Sequence, residues 1–142
     1  MAGIHYTVRS TDFQGALRGA LDRLSGAARA ATERAANDMV NHAKSLAPVD
    51  TGRLRSSIVA IPAGGRLRFS VTIGTNVTYA TDVEYGTAPH VIVPKGKKAL
   101  WWPGAAHPVA KVNHPGTRAQ PFMRPAIAMA ETYLRQHAKG IR

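Results

Sequence analysis

Two acidic residues, Asp82 and Glu84, stand two positions apart beside a tyrosine, and such a pair is a natural place to look for general acid and base catalysis. In a helix, residues i and i+2 point in different directions, so these carboxylates do not form a natural catalytic pair. The Gly-x-Ser-x-Gly motif that presents a nucleophilic serine is missing. Asp50-Thr51-Gly52 occurs once, whereas an aspartic protease needs two such loops. A homodimer could supply the second, but the alanine-rich segment before the motif does not fit that fold. We therefore predict no enzymatic activity.

Six histidines raise the question of a metal site. None has the i, i+4 spacing of a helical zinc pair, and His107 and His114 each precede a proline. Cysteine is absent, which excludes disulfides and thiolate ligands and fits a reducing compartment. Gly64-Gly65 is expected to join two strands and not to open a helix, so it does not form a phosphate-binding loop. We expect no metal and no cofactor.

Aromatic and basic residues concentrate in the segment 89–120, which we call the arm. Trp101 and Trp102 follow three closely spaced lysines, and no acidic residue occurs between Glu84 and Glu131. Basic residues with exposed aromatic rings suit single-stranded nucleic acid, whereas tryptophans in a proline-rich arm also serve as anchors in a neighbouring subunit. We favour the protein interface and keep a free basic nucleic-acid-binding protein as the alternative.

Composition limits the protein class. The chain has 142 residues, 44% of them hydrophobic and 19% charged, and a formal net charge of +11. A single domain spanning 1–142 can bury its own core at this length. The positive charge attracts anionic partners, so that by charge alone nucleic acid, an acidic protein surface and an anionic membrane all remain possible. The sequence shows no secretory leader and no apolar stretch long enough to cross a bilayer, so we expect a protein that is not secreted by that route and has no membrane partner.

Hydrophobic spacing predicts the elements that carry these residues. Within an N-terminal strand or extension at 1–10, residues 4–8 alternate apolar and polar. Thr11, with Gln14, is expected to cap a helix that runs to about Leu46 and can bend at Ser25-Gly26. Pro48 ends that helix. Asp50-Thr51-Gly52 then forms a turn in which the Asp50 carboxylate accepts backbone amides.

Shorter elements follow, and one long helix closes the chain. We predict a hairpin with strands at 57–61 and 66–73, joined by a turn at 63–65. A short helix at 77–85, ended by Gly86, and a strand at 91–93 are expected next. No regular structure is expected over 95–120, and a helix at 121–139, with Pro125 in its first turn, closes the chain. One face of the second strand holds Leu67, Phe69, Val71 and Ile73. This order predicts an α+β fold in which a long N-terminal helix and a C-terminal helix pack on a small antiparallel sheet, with a long loop or arm containing Pro, Gly and Trp.

Three blocks together resemble the tail-completion, or neck, family of long-tailed bacteriophages, to which the minor tail protein Z of lambdoid phages is also similar. The first is the segment 47–58, in which an Asp-Thr-Gly turn precedes a basic-Leu-basic run. The second is Tyr79-Ala80 followed by Glu84-Tyr85-Gly86. The third, at 120–126, leads into the last helix. Their order and spacing cover residues from about 12 to 138.

The resemblance implies a structural virion protein without catalytic activity. It implies a ring, expected to hold six subunits, at the head-proximal end of the tail, where the tail meets the head connector. The implied partners are further copies of the chain, a tail terminator or tail-tube protein, and a head-connector or head-closure protein. Contact with genomic DNA in the ring lumen also fits the basic charge. Such a protein is assembled in the bacterial host cytoplasm and resides in the tail or neck of the virion.

Interface residues are the candidate site that follows from the blocks and the arm. We expect Glu84, beside Tyr79 and Tyr85, to anchor the arm or to pair with Arg53 or Arg55. The full set of candidate interface residues is Asp50, Thr51, Gly52, Arg53, Arg55, Tyr79, Glu84, Tyr85, Trp101, Trp102, Phe122 and Arg124.

Overall fold

A computed structural model describes residues 10–65 and 68–141, with side chains described from Gln14 onward. The strand expected at 4–8 and Leu67 lie outside the described residues, as does the side chain of Thr11 that was expected to cap the helix. The described elements, in chain order, are α1 (Ser10–Leu46), α2 (Arg53–Ser57), β1 (Val59–Gly64), β2 (Phe69–Gly74), α3 (Ala80–Tyr85), β3 (His90–Ile92), β4 (Val112–His114), α4 (Met123–Ala128) and α5 (Ala130–Ala138).

The long N-terminal helix is confirmed as one unbroken element of 37 residues. Ser25-Gly26 does not break it, and the Ser25 hydroxyl donates to the Asp22 carbonyl at 3.0 Å within the helix. The helix ends at Leu46, two residues before Pro48, as the restriction that proline places on the residue before it requires. Its length makes α1 the element on which β1, β2, α4 and α5 pack.

The core lies around the C-terminal half of α1. Ile58 and Phe122 are the largest fully buried side chains, and the small side chain of Ala43 lets neighbouring elements approach α1 closely. The N-terminal half of α1 is different, because its leucines, among them Leu17 and Leu21, remain exposed within the described subunit. The apolar stripe of α1 therefore continues beyond the core that it helps to form.

The hairpin is confirmed, but its first strand was predicted too early. Residues 53–57 form the short helix α2, and β1 begins only at Val59. Ser57, the first residue of the expected strand, is instead the last residue of α2, and the Ser56 and Ser57 hydroxyls donate to the carbonyls three residues before them at 3.0 and 2.8 Å. The turn also comes later than predicted, because β1 runs to Gly64 and the Gly65 N–H donates to the Arg68 carbonyl.

The alternation predicted for the second strand is confirmed over its described part. In β2 the side chains of Phe69, Val71 and Ile73 are half-buried, whereas Ser70 and Thr72 are exposed. Ile73 lies opposite Ala60 in the antiparallel register, and both pack against the core. The Arg29 guanidinium of α1 lies 4.8 Å from the centre of the Phe69 ring, so a cation–π contact joins the helix to the hairpin.

The expectation that residues 95–120 lack regular structure is wrong. They contain β4, which pairs antiparallel with β3 and sets His90 opposite His114. The same register continues to a bridge between Thr87 and Thr117, and a further bridge joins Leu100 to Val109 nearer the tip. The missed strand is only three residues long and is followed directly by Pro115-Gly116, so it carries no periodic pattern. The arm is thus a two-stranded ribbon.

The helix predicted at 121–139 is divided into α4 and α5 at Met129. The Met129 N–H donates to the Ala126 carbonyl three residues back, at 3.3 Å, which locally tightens the helix. Pro125 lies in the first turn of α4, as predicted. Two polar contacts fasten α5 to α1: His137 Nε2 donates to Asp38 Oδ2 at 2.6 Å, and the Tyr133 hydroxyl lies 3.2 Å from His42 Nδ1.

The predicted α+β class is confirmed: a long N-terminal helix, C-terminal helices, small antiparallel sheets and an arm. The C-terminal helices pack against α1. Within the described ranges, no helix combines the length and the apolar character that crossing a membrane requires.

Candidate functional site

Glu84 joins the second and third blocks in space. It lies near the end of α3, is only 5% exposed, and directs its carboxylate at the start of α4. Oε2 accepts the backbone N–H groups of Phe122 and Met123 at 2.8 and 2.9 Å, and Oε1 accepts that of Arg124 at 3.0 Å. The first N–H groups of a helix have no partner inside the helix, so a carboxylate from α3 caps α4.

Arg124 completes this arrangement. Its Nε donates to Glu84 Oε1 at 2.9 Å, and its Nη2 donates to the Glu84 carbonyl at 3.2 Å. The guanidinium also lies 4.7 Å from the centre of the Tyr85 ring. The expected pairing of Glu84 with Arg53 or Arg55 is therefore wrong. Arg124 is the partner because it lies in the first turn of α4, the helix whose N–H groups the carboxylate already binds.

The charge state of Glu84 follows from these contacts. Burial raises the pKa of the carboxyl, but the backbone N–H groups of Met123, Phe122 and Arg124, together with the Arg124 guanidinium, stabilise the charged form. The pKa of Glu84 therefore lies below its ordinary value of 4.5, and the group is a carboxylate at neutral pH. An ionised carboxylate that accepts four N–H groups cannot take up a proton as a general base without losing these bonds.

The Asp50-Thr51-Gly52 turn brings the first block to the second. Gly52 has a φ of 79°, which favours glycine, and it leads directly into α2. The turn lines a cleft of about 220 Å³ together with Tyr79 and Val83. The predicted bond from backbone amides to Asp50 is absent from the described contacts, because the carboxylate is exposed and the turn relies on Gly52 instead. Asp50 therefore remains available on the surface.

The arm carries a separate apolar surface. Trp101 and Trp102 are 63% and 46% exposed, and with Ile92, Leu100 and Val112 they line a groove of about 320 Å³. Pro103-Gly104 turns the chain at the tip, where the Ala105 N–H donates to the Trp102 carbonyl at 3.0 Å. The tryptophans are thus held on a turn and not buried in the subunit.

Close backbone packing fixes the base of the arm. Thr87 and Thr117 exchange two backbone hydrogen bonds of 3.1 Å. Gly86, at a φ of 73°, approaches so closely that a Cβ there would lie 2.5 Å from the Thr117 carbonyl oxygen. The Gln120 N–H donates to the Val83 carbonyl at 2.8 Å, next to the Glu84 contacts. The arm therefore leaves the body from the same point at which α3 and α4 are joined.

The candidate residues fall into four groups. Glu84 and Phe122 lie inside the subunit, where they serve its own fold. The residues at the cleft are Asp50, Thr51, Gly52, Arg53 and Tyr79, with Arg55 exposed on α2. Tyr85 and Arg124 stack beside Glu84, and Trp101 and Trp102 lie on the arm. The structure thus joins the three blocks into one region and keeps the tryptophans apart from it.

Sequence reasoning missed Asp82 as a surface group and Arg124 as the partner of Glu84. Arg124 carried no local signal for this pairing, because the helix dipole does not favour a cation at a helix start and Glu84 lies 40 residues away in the chain. For Asp82 the sequence held only a weak indication of a shared surface, because a spacing of three residues from Tyr79 places the two side chains on one side of a helix.

The family model of bacteriophage HK97-gp10-like tail components matches residues 12–86, just over half of the chain. The chain belongs to this family of phage tail components, which agrees with the resemblance to tail-completion proteins. The matched segment runs from α1 to Gly86 and so contains the first two blocks and the cleft between them. No curated protein and no solved structure matches the chain.

Proposed function

We propose that this chain is a structural subunit of the phage neck, a tail-completion protein that forms a ring of six copies at the head-proximal end of the tail and joins the tail to the head connector. Membership of the tail-component family supports a structural role in the virion. The capped and ion-paired state of Glu84 supports a role in holding the subunit together and not in catalysis.

The arm is the observation that carries this proposal. Val91 and Val93 are each 56% exposed, and Trp101 is 63% exposed. An isolated two-stranded ribbon is marginally stable in water, and buried tryptophans are typical anchors of protein interfaces. A ribbon that leaves this many large apolar side chains exposed fits a subunit whose arm is buried in an assembly.

The partners follow from this position. One side of the ring contacts a tail terminator or tail-tube protein, and the other contacts a head-connector or head-closure protein. A charge of +11 on each chain, multiplied around one axis, gives a strong positive field that suits an acidic neighbouring ring or the DNA passing through the lumen.

Deleting the gene from the phage that encodes it tests the proposal. The expected lysate contains filled heads and separate tails that do not join, and purified protein added to that lysate restores infectious particles. Normal particles from the deletion phage would overturn the proposal.

A free nucleic-acid-binding protein remains the second candidate, because Lys95, Lys97 and Lys98 are exposed next to the tryptophans. That function requires the protein to bind single-stranded DNA, with a logarithm of the affinity that falls linearly with the logarithm of the salt concentration. The double variant Trp101→Ala, Trp102→Ala must then bind this DNA more weakly. For the neck protein, we expect this variant to remain folded but to fail in joining heads to tails. The matched control is Ile127→Ala, which truncates an exposed apolar side chain on α4 and is expected to join them normally.

A further inference from the structure

The cleft between the first two blocks is an apolar surface that the subunit leaves open. Val49 is 58% exposed and Tyr79 is 40% exposed, and both line the cleft with Pro48 and Val83. Arg53 lies at the same cleft with its side chain exposed. An aromatic ring, an aliphatic side chain and a guanidinium on one open cleft are typical of a surface that receives a partner.

Two exposed carboxylates, one in the cleft and one on the helix beside it, have no partner within the described part of the subunit. Asp50 lines the cleft, and Asp82 lies one helical turn after Tyr79 on α3. Four other described acids are already paired, namely Glu33 with Arg29, Asp38 with His137, Glu84 with Arg124 and Glu131 with Arg135. In a chain with so strong an excess of positive charge, Asp50 and Asp82 are therefore carboxylates that a cationic partner can pair with, although Arg53 also lines the cleft.

The arm offers the matching chemistry. Lys95, Lys97 and Lys98 are exposed next to Trp101, and none forms an ion pair within the described residues. The arm itself contains no acid that could pair with them. A cationic and aromatic tip and an apolar cleft with the unpaired Asp50 thus occur on one chain, and no hydrogen bond or ion pair joins them in the described subunit.

We infer that the arm of one copy docks on the cleft of the next copy, with the lysines against Asp50 and Asp82 and a tryptophan against Tyr79 and Arg53. This inference rests on the proposed function, since it names the contact that would build the ring. The two surfaces are different patches of the same chain, so the contact is heterologous and closes into a ring when the rotation fits. Nucleic acid is a poorer occupant of the cleft, because its phosphates would face the Asp50 carboxylate.

Disulfide cross-linking in assembled particles tests this contact directly, because the natural chain has no cysteine. The variant Asp82→Cys, Lys98→Cys is supplied to the deletion phage, and purified particles are oxidised and run on a non-reducing gel. We expect a ladder of multimers that collapses on reduction. The matched control Asp82→Cys, Lys139→Cys, whose second cysteine lies just beyond α5, is expected to run as a monomer.

Charge reversal provides an independent readout. Asp50→Lys with Asp82→Lys, and Lys97→Glu with Lys98→Glu, are each expected to lower the titre of infectious particles at least tenfold. When the two variants are supplied together, a ring in which they alternate has opposite charges on the arm and the cleft at every contact. The titre of infectious particles is therefore expected to recover. Arg18→Glu with Arg23→Glu, on the exposed part of α1, controls for net charge.

The outcomes separate the inference from the proposed function. Particles that contain the protein but give no ladder and no recovery would overturn the docking contact and leave the neck assignment standing. Particles that lack even the wild-type protein would overturn the neck assignment and the docking contact together. Loss of DNA binding in the Lys97→Glu, Lys98→Glu variant, with no ladder in the cysteine variant, would assign the lysines to nucleic acid instead.

Discussion

Replacing Glu84 by glutamine removes one charge from the junction of α3 and α4 and keeps the side-chain shape. The carboxylate accepts three backbone N–H groups and the Arg124 Nε, and glutamine can offer only one oxygen to these four donors. Its NH₂ group then faces N–H groups that need an acceptor. With a cost of about 1–3 kcal/mol for each buried donor left unpaired, we expect a loss of about 3 kcal/mol in the free energy of unfolding.

Acidification should reproduce part of this loss in the wild type. Because the pKa of Glu84 is lowered in the folded state, its stabilisation is fully present above the ordinary value of 4.5. The stabilisation is lost as the pH falls from there through the folded-state pKa. Glutamine does not titrate, so the stability difference between wild type and variant should be constant near neutral pH and should shrink below a pH of about 4.5.

Urea unfolding at several pH values measures both effects, with the slope m used to check that the unfolded state is unchanged. The matched control is Glu131→Gln, which removes a carboxylate paired with Arg135 across one helical turn on the surface. Exposed pairs of this kind contribute at most about 1 kcal/mol. A Glu84→Gln variant no less stable than the Glu131→Gln variant, or a difference that does not shrink in acid, would refute the capping role.

Two further predictions use the packing of single residues. Gly86→Ala should lower the free energy of unfolding by more than about 2 kcal/mol, because φ is positive there and the new Cβ would lie 2.5 Å from the Thr117 carbonyl oxygen. Gly26→Ala should instead stabilise the protein by about 0.5–1 kcal/mol, because a Cβ at this position of α1 meets nothing within 4 Å. Phe122→Ala should lower the free energy of unfolding by about 3–5 kcal/mol, because the Phe122 side chain is only 1% exposed. Ile127→Ala should lower it much less, because Ile127 is half exposed. Thermal or urea unfolding checks each pair, and equal effects within a pair would contradict the packing described here.

Much of the fold was predictable because its signals are local. The proline after α1, the alternation in β2 and the glycine that ends α3 each act on neighbouring residues. The short helix α2 and the strand β4 were missed for the opposite reason. The position of α2 depends on inserting Leu54 into the core, and β4 exists only because it pairs with β3, so neither has a pattern of its own.

The site was predictable in composition but not in pairing. Tyr79, Glu84 and Arg124 were all identified as candidates from the blocks that contain them. The choice of Arg124 over Arg53 or Arg55 depends on how α3 and α4 meet, across 40 residues of chain. Sequence alone also could not show that Phe122 points into the core, because an apolar residue at a helix start serves equally well as an interface anchor.

A cryo-electron microscopy reconstruction of the head–tail junction of the virion tests the neck assignment most directly. We expect a ring of copies at the head-proximal end of the tail, with α1 and the hairpin recognisable in each subunit and the arm of each copy on the cleft of its neighbour. A junction that contains no density for this chain, or copies located elsewhere along the tail, would contradict the proposed function.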